Sequence, residues 1–229
     1  MLILNNGVPK SGSTMVQNLL RKAIKPKRPS EEWQNPDWTN PSILPEKIKP
    51  FMESEEYKKA QNVLLKMHFE MGPDFEFLCD NNEVKVVVSW RNVPDSVLSF
   101  FHHQIRRGRT QMEDKLNWLE TRGRRFARRT IDHKKSWQSV RNCYLVQFES
   151  LLEGPDKEFS GILDFLEIHI SDQERADILS DTIVQLSDGE RPRDGSHIRT
   201  AGQSRAKLEL PQSFYEEFEE MNKEIFSLA

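Results

Sequence analysis

Long apolar runs are missing from this chain: no stretch approaches the roughly 20 apolar residues that a membrane-spanning helix requires. The opening run, Met1 to Leu4, is too short for the hydrophobic region of a secretory signal, and Lys10 follows soon after it. Cysteine is scarce, with only Cys79 and Cys143 among 229 residues. Two isolated positions make no zinc pattern and do not suggest a disulfide, so buried reduced thiols are expected. A large excess of either charge is absent too. The net charge of −3 argues against general nucleic-acid binding. Together these absences predict a soluble, cytoplasmic protein with no membrane or nucleic-acid partner. A single domain over residues 1–229 is expected, since α/β layers of this size stand alone.

What is present alternates in period. A short strand, Leu2 to Asn6, meets a turn, and from Ser13 the apolar positions Met15, Val16, Leu19, Leu20 and Ile24 recur at helical spacing. Lys25 to Pro50 holds several prolines with Trp33 and Trp38, which predicts a mostly irregular excursion. Further strands are expected at Asn62 to Met67, at the valine-rich Val84 to Trp90 and at Cys143 to Phe148. Helices are expected at Pro94 to Arg107, Gln111 to Ser139 with a break near Gly123, Pro155 to Leu166 and Pro211 to Phe226. Strands alternating with helices imply an α/β fold of three layers, a central, mainly parallel sheet flanked by helices, with ligands at the carboxyl ends of its strands.

The first turn carries chemistry. A glycine-bounded loop between a strand and a helix aims backbone N–H groups and the helix's positive end at one point, which is how proteins hold phosphate. Lys10 adds a mobile cation, and Ser11, Ser13 and Thr14 add hydroxyls around Gly12. A plain glycine-serine turn capping a helix is the other reading. A nucleotide kinase would place its lysine after the second glycine, whereas Lys10 precedes Gly12, and no predicted strand ends in an aspartate placed to hold magnesium. Metal-free anion chemistry is therefore favoured over a small-molecule kinase. Farther on, Arg91 ends a strand where its planar fork suits a phosphate, and Ser99 lies about two helical turns along. Either residue alone reads more readily as a solvent-facing side chain.

Taken together these segments closely resemble the cytosolic-type sulfotransferases that use 3′-phosphoadenosine 5′-phosphosulfate (PAPS). That family's P-K-S-G-S/T-T loop is matched by Pro9, Lys10, Ser11, Gly12, Ser13 and Thr14. Its R-N-P-x-D-x-x-x-S-x-x-H motif is matched by Arg91, Asn92, Asp95, Ser99 and His102, and its K-T-H element by Lys66, Met67 and His68. The W-W that precedes a strand ending in Y-E-D resembles Ser136 and Trp137 followed by Phe148, Glu149 and Ser150. The late R-K-G motif is echoed by Arg199, Thr200 and Ala201, with Arg193, Asp194 and Gly195 competing for that role. Met15 stands where the family's adenine-stacking tryptophan is usual, and Phe148 replaces a tyrosine.

The resemblance implies a P-loop, nucleotide-kinase-like sulfotransferase fold, PAPS as cofactor with adenosine 3′,5′-bisphosphate as product, and no metal. It implies that His68 is the general base, with Lys10 and Lys66 as catalytic cations. Lys10, Ser11, Gly12, Ser13, Thr14 and Met15 would contact the cofactor, as would Arg91, Ser99, Phe148, Arg199, Thr200 and Ala201. His102 and His103 would line the acceptor pocket or pack. The acceptor is expected to be a small molecule or glycan, met by excursions over residues 25–57 and 106–139, and the oligomeric state stays open. The basic run from Arg106 to Arg141 has two readings, a solvated helical face or a collar for an anionic acceptor. Trp118, Phe126 and Trp137 suit the core-facing side of helices. A non-catalytic nucleotide-binding protein on a degenerate fold of the same kind is the remaining alternative.

Overall fold

The computed structural model describes residues 1–26, 28–34, 43–78, 81–187 and 205–226. In chain order the elements are β1 (Leu2–Gly7), α1 (Ser13–Ile24), α2 (Pro45–Glu53), α3 (Glu55–Lys58), β2 (Val63–Lys66), β3 (Val84–Trp90), α4 (Val93–Arg106) and α5 (Lys115–Trp118). They continue with α6 (Arg124–Gln138), β4 (Cys143–Gln147), α7 (Phe148–Glu153), α8 (Pro155–Phe165), α9 (Asp172–Ser187), α10 (Ala206–Glu209) and α11 (Gln212–Phe226). The four strands form one parallel sheet in the order β2-β1-β3-β4.

Side chains alternate across each strand, and the alternation sorts the sheet's residues into two cores. Leu2, Leu4, Val63, Leu65, Val84, Val86 and Val88 face one layer, where they pack with Ile48 and Phe51 of α2, Tyr57 of α3 and Trp137 of α6. Ile3, Leu64, Val87 and Val146 face the other, against Met15, Val16, Leu19 and Leu20 of α1, Phe159 and Ile162 of α8 and Leu179 of α9. A third cluster joins α4, α6, α10 and α11 through Val97, Phe101, Phe126, Ile131, Ala206 and Phe218. Trp118 and Phe126 lie in that cluster, and Trp137 in the first. The three-layer, parallel-sheet expectation is met.

Three local features differ from expectation. Pro45 to Glu53 is helical despite its prolines: Pro45 occupies the first turn, where its missing N–H costs nothing, and Pro50 is tolerated inside the helix. The chain does not break at Gly123; a π-type turn over Leu119–Gly123 carries α5 into α6 with a locally wider helix. Helix α9 was not anticipated. Cys143 is a half-buried free thiol whose pKa burial pushes up to about 12, while Cys79 lies outside the described residues. Among the described residues no helix is long and apolar enough to cross a membrane.

Parallel pairing decides where function can sit. The register aligns Asn5 with Lys66, Gly7 with Ser89 and Trp90 with Gln147, so all four strands end at one edge. The loop after β1, Met67–His68, Arg91 and Phe148 therefore emerge together. Because β2 and β3 flank β1 on opposite sides, the chain leaves this edge in two directions, which opens a crevice there.

Candidate active site

The phosphate loop begins with a tight turn: the Ser11 N–H donates to the Val8 carbonyl at 3.2 Å. Pro9 is its second residue and Lys10 its third, with φ of 76°, the geometry of a type II turn. Gly12 follows with φ of 90° and caps α1, its carbonyl accepting from the Met15 and Val16 N–H groups at 2.9 and 3.2 Å. The Ser13 and Thr14 N–H groups that open the helix have no intrahelical acceptor, and no acidic side chain occupies the first turn. The helix N-terminus is thus an electropositive cradle. Space fixes the loop as firmly as hydrogen bonds do. A Cβ at Gly7 would lie 2.6 Å from both the Ser11 Oγ and the Ser89 carbonyl, and one at Gly12 would clash with the Phe148 ring.

The predicted loop hydroxyls divide in role. Ser11 is buried beneath the loop, its Oγ 2.9 Å from Ser89 Oγ. Ser13 is buried as well, and its carbonyl accepts from Asn5 Nδ2 at 2.8 Å. Thr14 alone links the loop to the next strand, because Lys66 Nζ donates to its Oγ1 at 2.8 Å. Met15 does not turn toward the crevice; at 2 % exposure it is part of the core beneath the sheet.

Lys66 is itself buried, and desolvation lowers its ammonium pKa to about 8, which leaves it mostly charged at neutral pH. Two residues on, His68 Nδ1–H donates to the Gly7 carbonyl. A carbonyl can only accept, so the ring's proton resides on Nδ1 and Nε2 carries the lone pair. Burial, with smaller contributions from Lys66 and Arg129, holds this imidazole down at about 4, against the opposing pull of the Gly7 carbonyl. The ring is therefore neutral at pH 7.

Asn6, unremarked in the sequence, organises this neighbourhood. Its Nδ2 donates to the Phe69 carbonyl at 2.9 Å, and its Oδ1 accepts from the Gly7 and Phe69 N–H groups at 2.9 and 3.2 Å. His133 of α6 adds a longer bond, Nε2 to Asn6 Oδ1 at 3.3 Å. Burial first, then His68 and Arg129, push His133 down to about 3. Trp137 Nε1 donates to the Phe69 carbonyl at 2.9 Å, so the main chain next to His68 is held from β1 and from α6.

Across the crevice, Arg91 is largely buried, and desolvation lowers its pKa despite Asp95 and Glu149 nearby. Its guanidinium carbon lies 4.8 Å from the centre of the Phe148 ring. Its Nε is 3.8 Å from Glu149 Oε1, too far for a hydrogen bond, and among the described residues that buried Nε has no acceptor. Asn92 caps α4 by accepting from the Asp95 N–H at 2.9 Å, and its Nδ2 donates to Glu149 Oε1 at 2.6 Å. Ser99 is half-buried farther along α4. His102 packs away with its Nε2 2.7 Å from Glu209 Oε2, and His103 stacks on Phe100. Arg193, Arg199, Thr200 and Ala201 lie outside the described residues.

The edge thus gathers Lys10, Gly12, Thr14, Lys66, His68, Arg91 and Phe148, a cationic, N–H-rich crevice with one neutral imidazole. A family model for the sulfotransferase domain matches residues 3–224. The chain belongs to that family. Sulfuryl transfer is the chemistry for which the family is named, and the fold agrees with it. Mouse sulfotransferase SULT7A1 complexed with PAP superposes with a TM-score of 0.68 at 17% identity, covering 100% of this chain and 85% of that one. Retinol dehydratase in complex with androsterone and PAP gives 0.60 at 16% identity, covering 98% and 80%, and its complex with retinol and PAP gives 0.59 at 16%, covering 98% and 81%. Among curated proteins none matches the chain by sequence. Sequence reasoning about this sulfotransferase domain missed Asn6 and His133, and quoted Glu149 within a motif without giving it a role. Glu149 carries a signal of its own: it is a carboxylate adjoining an apolar strand, where an unpaired charge would be costly.

Proposed function

We propose that this chain is a PAPS-dependent sulfotransferase that places a sulfuryl group on a hydroxyl or amine of a small-molecule or glycan acceptor, with His68 as general base. The observation that carries the reading is the convergence of the Lys10 loop, the Lys66–His68 pair and Arg91 on one sheet edge. The residues suit the cofactor. Adenosine 3′,5′-bisphosphate is anionic at both ends of the ribose, and the crevice offers the acid-free N-terminus of α1 on one side and the buried, acceptor-less Arg91 Nε on the other. Bound PAPS supplies the electrophilic sulfuryl group and a bisphosphate leaving group.

The chain's own residues then have separable tasks. Loop N–H groups and Lys10 hold the 5′ side and offset the charge that grows as the leaving group departs. Lys66, tied to Thr14, keeps a second cation within one hydrogen bond of that loop. Arg91 and Ser99 would hold the 3′-phosphate, the group that distinguishes this cofactor from ordinary adenine nucleotides. His68 receives the acceptor's proton at Nε2 as the acceptor attacks sulfur, while its Nδ1–H remains on the Gly7 carbonyl. The deciding experiment is calorimetric titration with adenosine 3′,5′-bisphosphate without metal, compared with ADP and with ATP plus magnesium. Selective, metal-independent binding of the bisphosphate supports the reading, and a preference for ATP with magnesium would overturn it.

A further inference from the structure

The basic run of α6 separates into two stripes. Arg124 forks onto Glu217 at 2.7 and 2.9 Å, Arg128 reaches Glu224 at 3.0 Å, and Lys135 reaches the same carboxylate at 3.2 Å. These three are paired with two carboxylates of α11 and form a structural seam. Arg122, Arg125 and Arg129 recur at spacings of three and four, so they share a different face. Arg129 Nη2 donates to the His68 carbonyl at 3.1 Å, and its Nε lies 3.8 Å from Glu70, with about half of the side chain exposed. Arg125 and Arg122 continue the stripe one and two turns away, roughly 5 and 11 Å along the axis. Both are exposed, and among the described residues neither has a carboxylate partner. Glu70, which Arg129 engages, and Asp132 are acids close to this face in structure or sequence.

Resting on the sulfotransferase reading, we propose that the acceptor is anionic. It carries a carboxylate, sulfate or phosphate beside the hydroxyl or amine it presents to His68, with Arg129, Arg125 and Arg122 as the residues that select it. Arg129 holds the main chain of the base itself, so a group meeting His68 lies within reach of its charge. A line of guanidinium groups leading to a reactive imidazole concentrates anions at that point, and each planar fork matches a carboxylate or sulfate edge. Recognition and chemistry would also be coupled. Burial is the main cause that holds His68 low and Arg129 the smallest, so an anion lying on Arg129 would raise the imidazole slightly and make it a somewhat stronger base. Androsterone and retinol, found with retinol dehydratase, carry no such group.

The test measures binding to protein saturated with adenosine 3′,5′-bisphosphate, using matched probes: 4-hydroxybenzoate against 4-hydroxybenzamide, and trigalacturonate against galactotriose. At least one anionic probe is expected to bind about tenfold tighter than its neutral counterpart. That gain should shrink as salt is raised and disappear in the Arg122→Ala/Arg125→Ala variant, whose substitutions are at exposed positions and spare the core. The probe pair that shows the gain tells a small-molecule acid from an acidic glycan. Equal binding of charged and neutral probes, or a gain that survives in the double variant and in Arg129→Gln, would overturn the proposal while the sulfotransferase reading stands. Failure of the bisphosphate itself to bind would sink both.

Discussion

Replacing Gly12 with alanine would test whether the phosphate loop and Arg91 are mechanically joined. Gly12 has φ of 90°, and a Cβ built there meets Phe148, with Cγ and Cε2 at 3.0 and 3.1 Å and another ring carbon closer still. Phe148 in turn lies under the Arg91 guanidinium. Alanine in the left-handed region costs about 1–2 kcal/mol, and overpacking adds about 1–3 kcal/mol. Gly12→Ala should therefore lose about 2–5 kcal/mol of unfolding free energy in urea titration. Affinity for adenosine 3′,5′-bisphosphate should fall as well, because the displaced ring carries Arg91 with it. Phe148→Ala in the same chain removes the steric part and leaves the backbone part. The double variant should then be about 1–3 kcal/mol more stable than the sum of the single changes predicts. Additivity within about 0.5 kcal/mol would refute the contact, and unchanged bisphosphate affinity in Gly12→Ala would refute the link to Arg91.

Three other outcomes can be checked. His68→Ala should lower turnover by about 10² to 10⁴ while sparing bisphosphate affinity; single-turnover kinetics decides this, and unaltered turnover removes His68 as the base. Arg91→Ala should weaken bisphosphate binding by about 1.5–3 kcal/mol, read by calorimetry, and normal affinity would end its assignment to the 3′-phosphate. His68 and His133 have native pKa values of about 4 and 3 against 6.5 in a free imidazole, so below pH 6.5 the unfolded chain binds protons that the native chain refuses. Stability should hold above pH 6.5 and fall between 6.5 and 5, with a slope approaching about 1.4 kcal/mol per pH unit for each histidine. Urea titrations across that window should show the slope flattening in the His68→Gln/His133→Gln variant.

The strands and the motifs at their ends were legible because both obey short-range rules. A nearly continuous run of valine marked Val84 to Trp90 to the residue, and the loop from Pro9 to Thr14 announced itself by composition. Met15 shows where analogy and periodicity diverge: its place in the family motif pointed to adenine, but its helical spacing with Val16, Leu19 and Leu20 already assigned it to the core, and packing followed the periodicity. Helix α2 was hidden because Pro45 and Pro50 read as breakers when counted without their position in the turn. Helix α9 was missed although six of its sixteen residues are apolar, because what it buries, such as Leu179 and Thr182, is set by packing on α1 rather than by a plain local pattern. Asn6 was illegible for a different reason: its partners Phe69 and His133 lie 63 and 127 residues away, and only the closed sheet brings them together.

The wide turn at Leu119–Gly123 has a hereditary implication. Each residue of helix advances the azimuth by about 100°, and a π turn is a register shift of this kind frozen into the chain. The wide turn absorbs an extra residue locally, so loss of one residue there would restore an ordinary α-helix and leave the flanking helices in their present register. Arg129 would stay on the His68 carbonyl and His133 on Asn6. The turn is thus the place where this segment can lose a codon and keep Phe126 and Trp137 in their cores, whereas the same loss inside α6 would rotate every later side chain by about 100°.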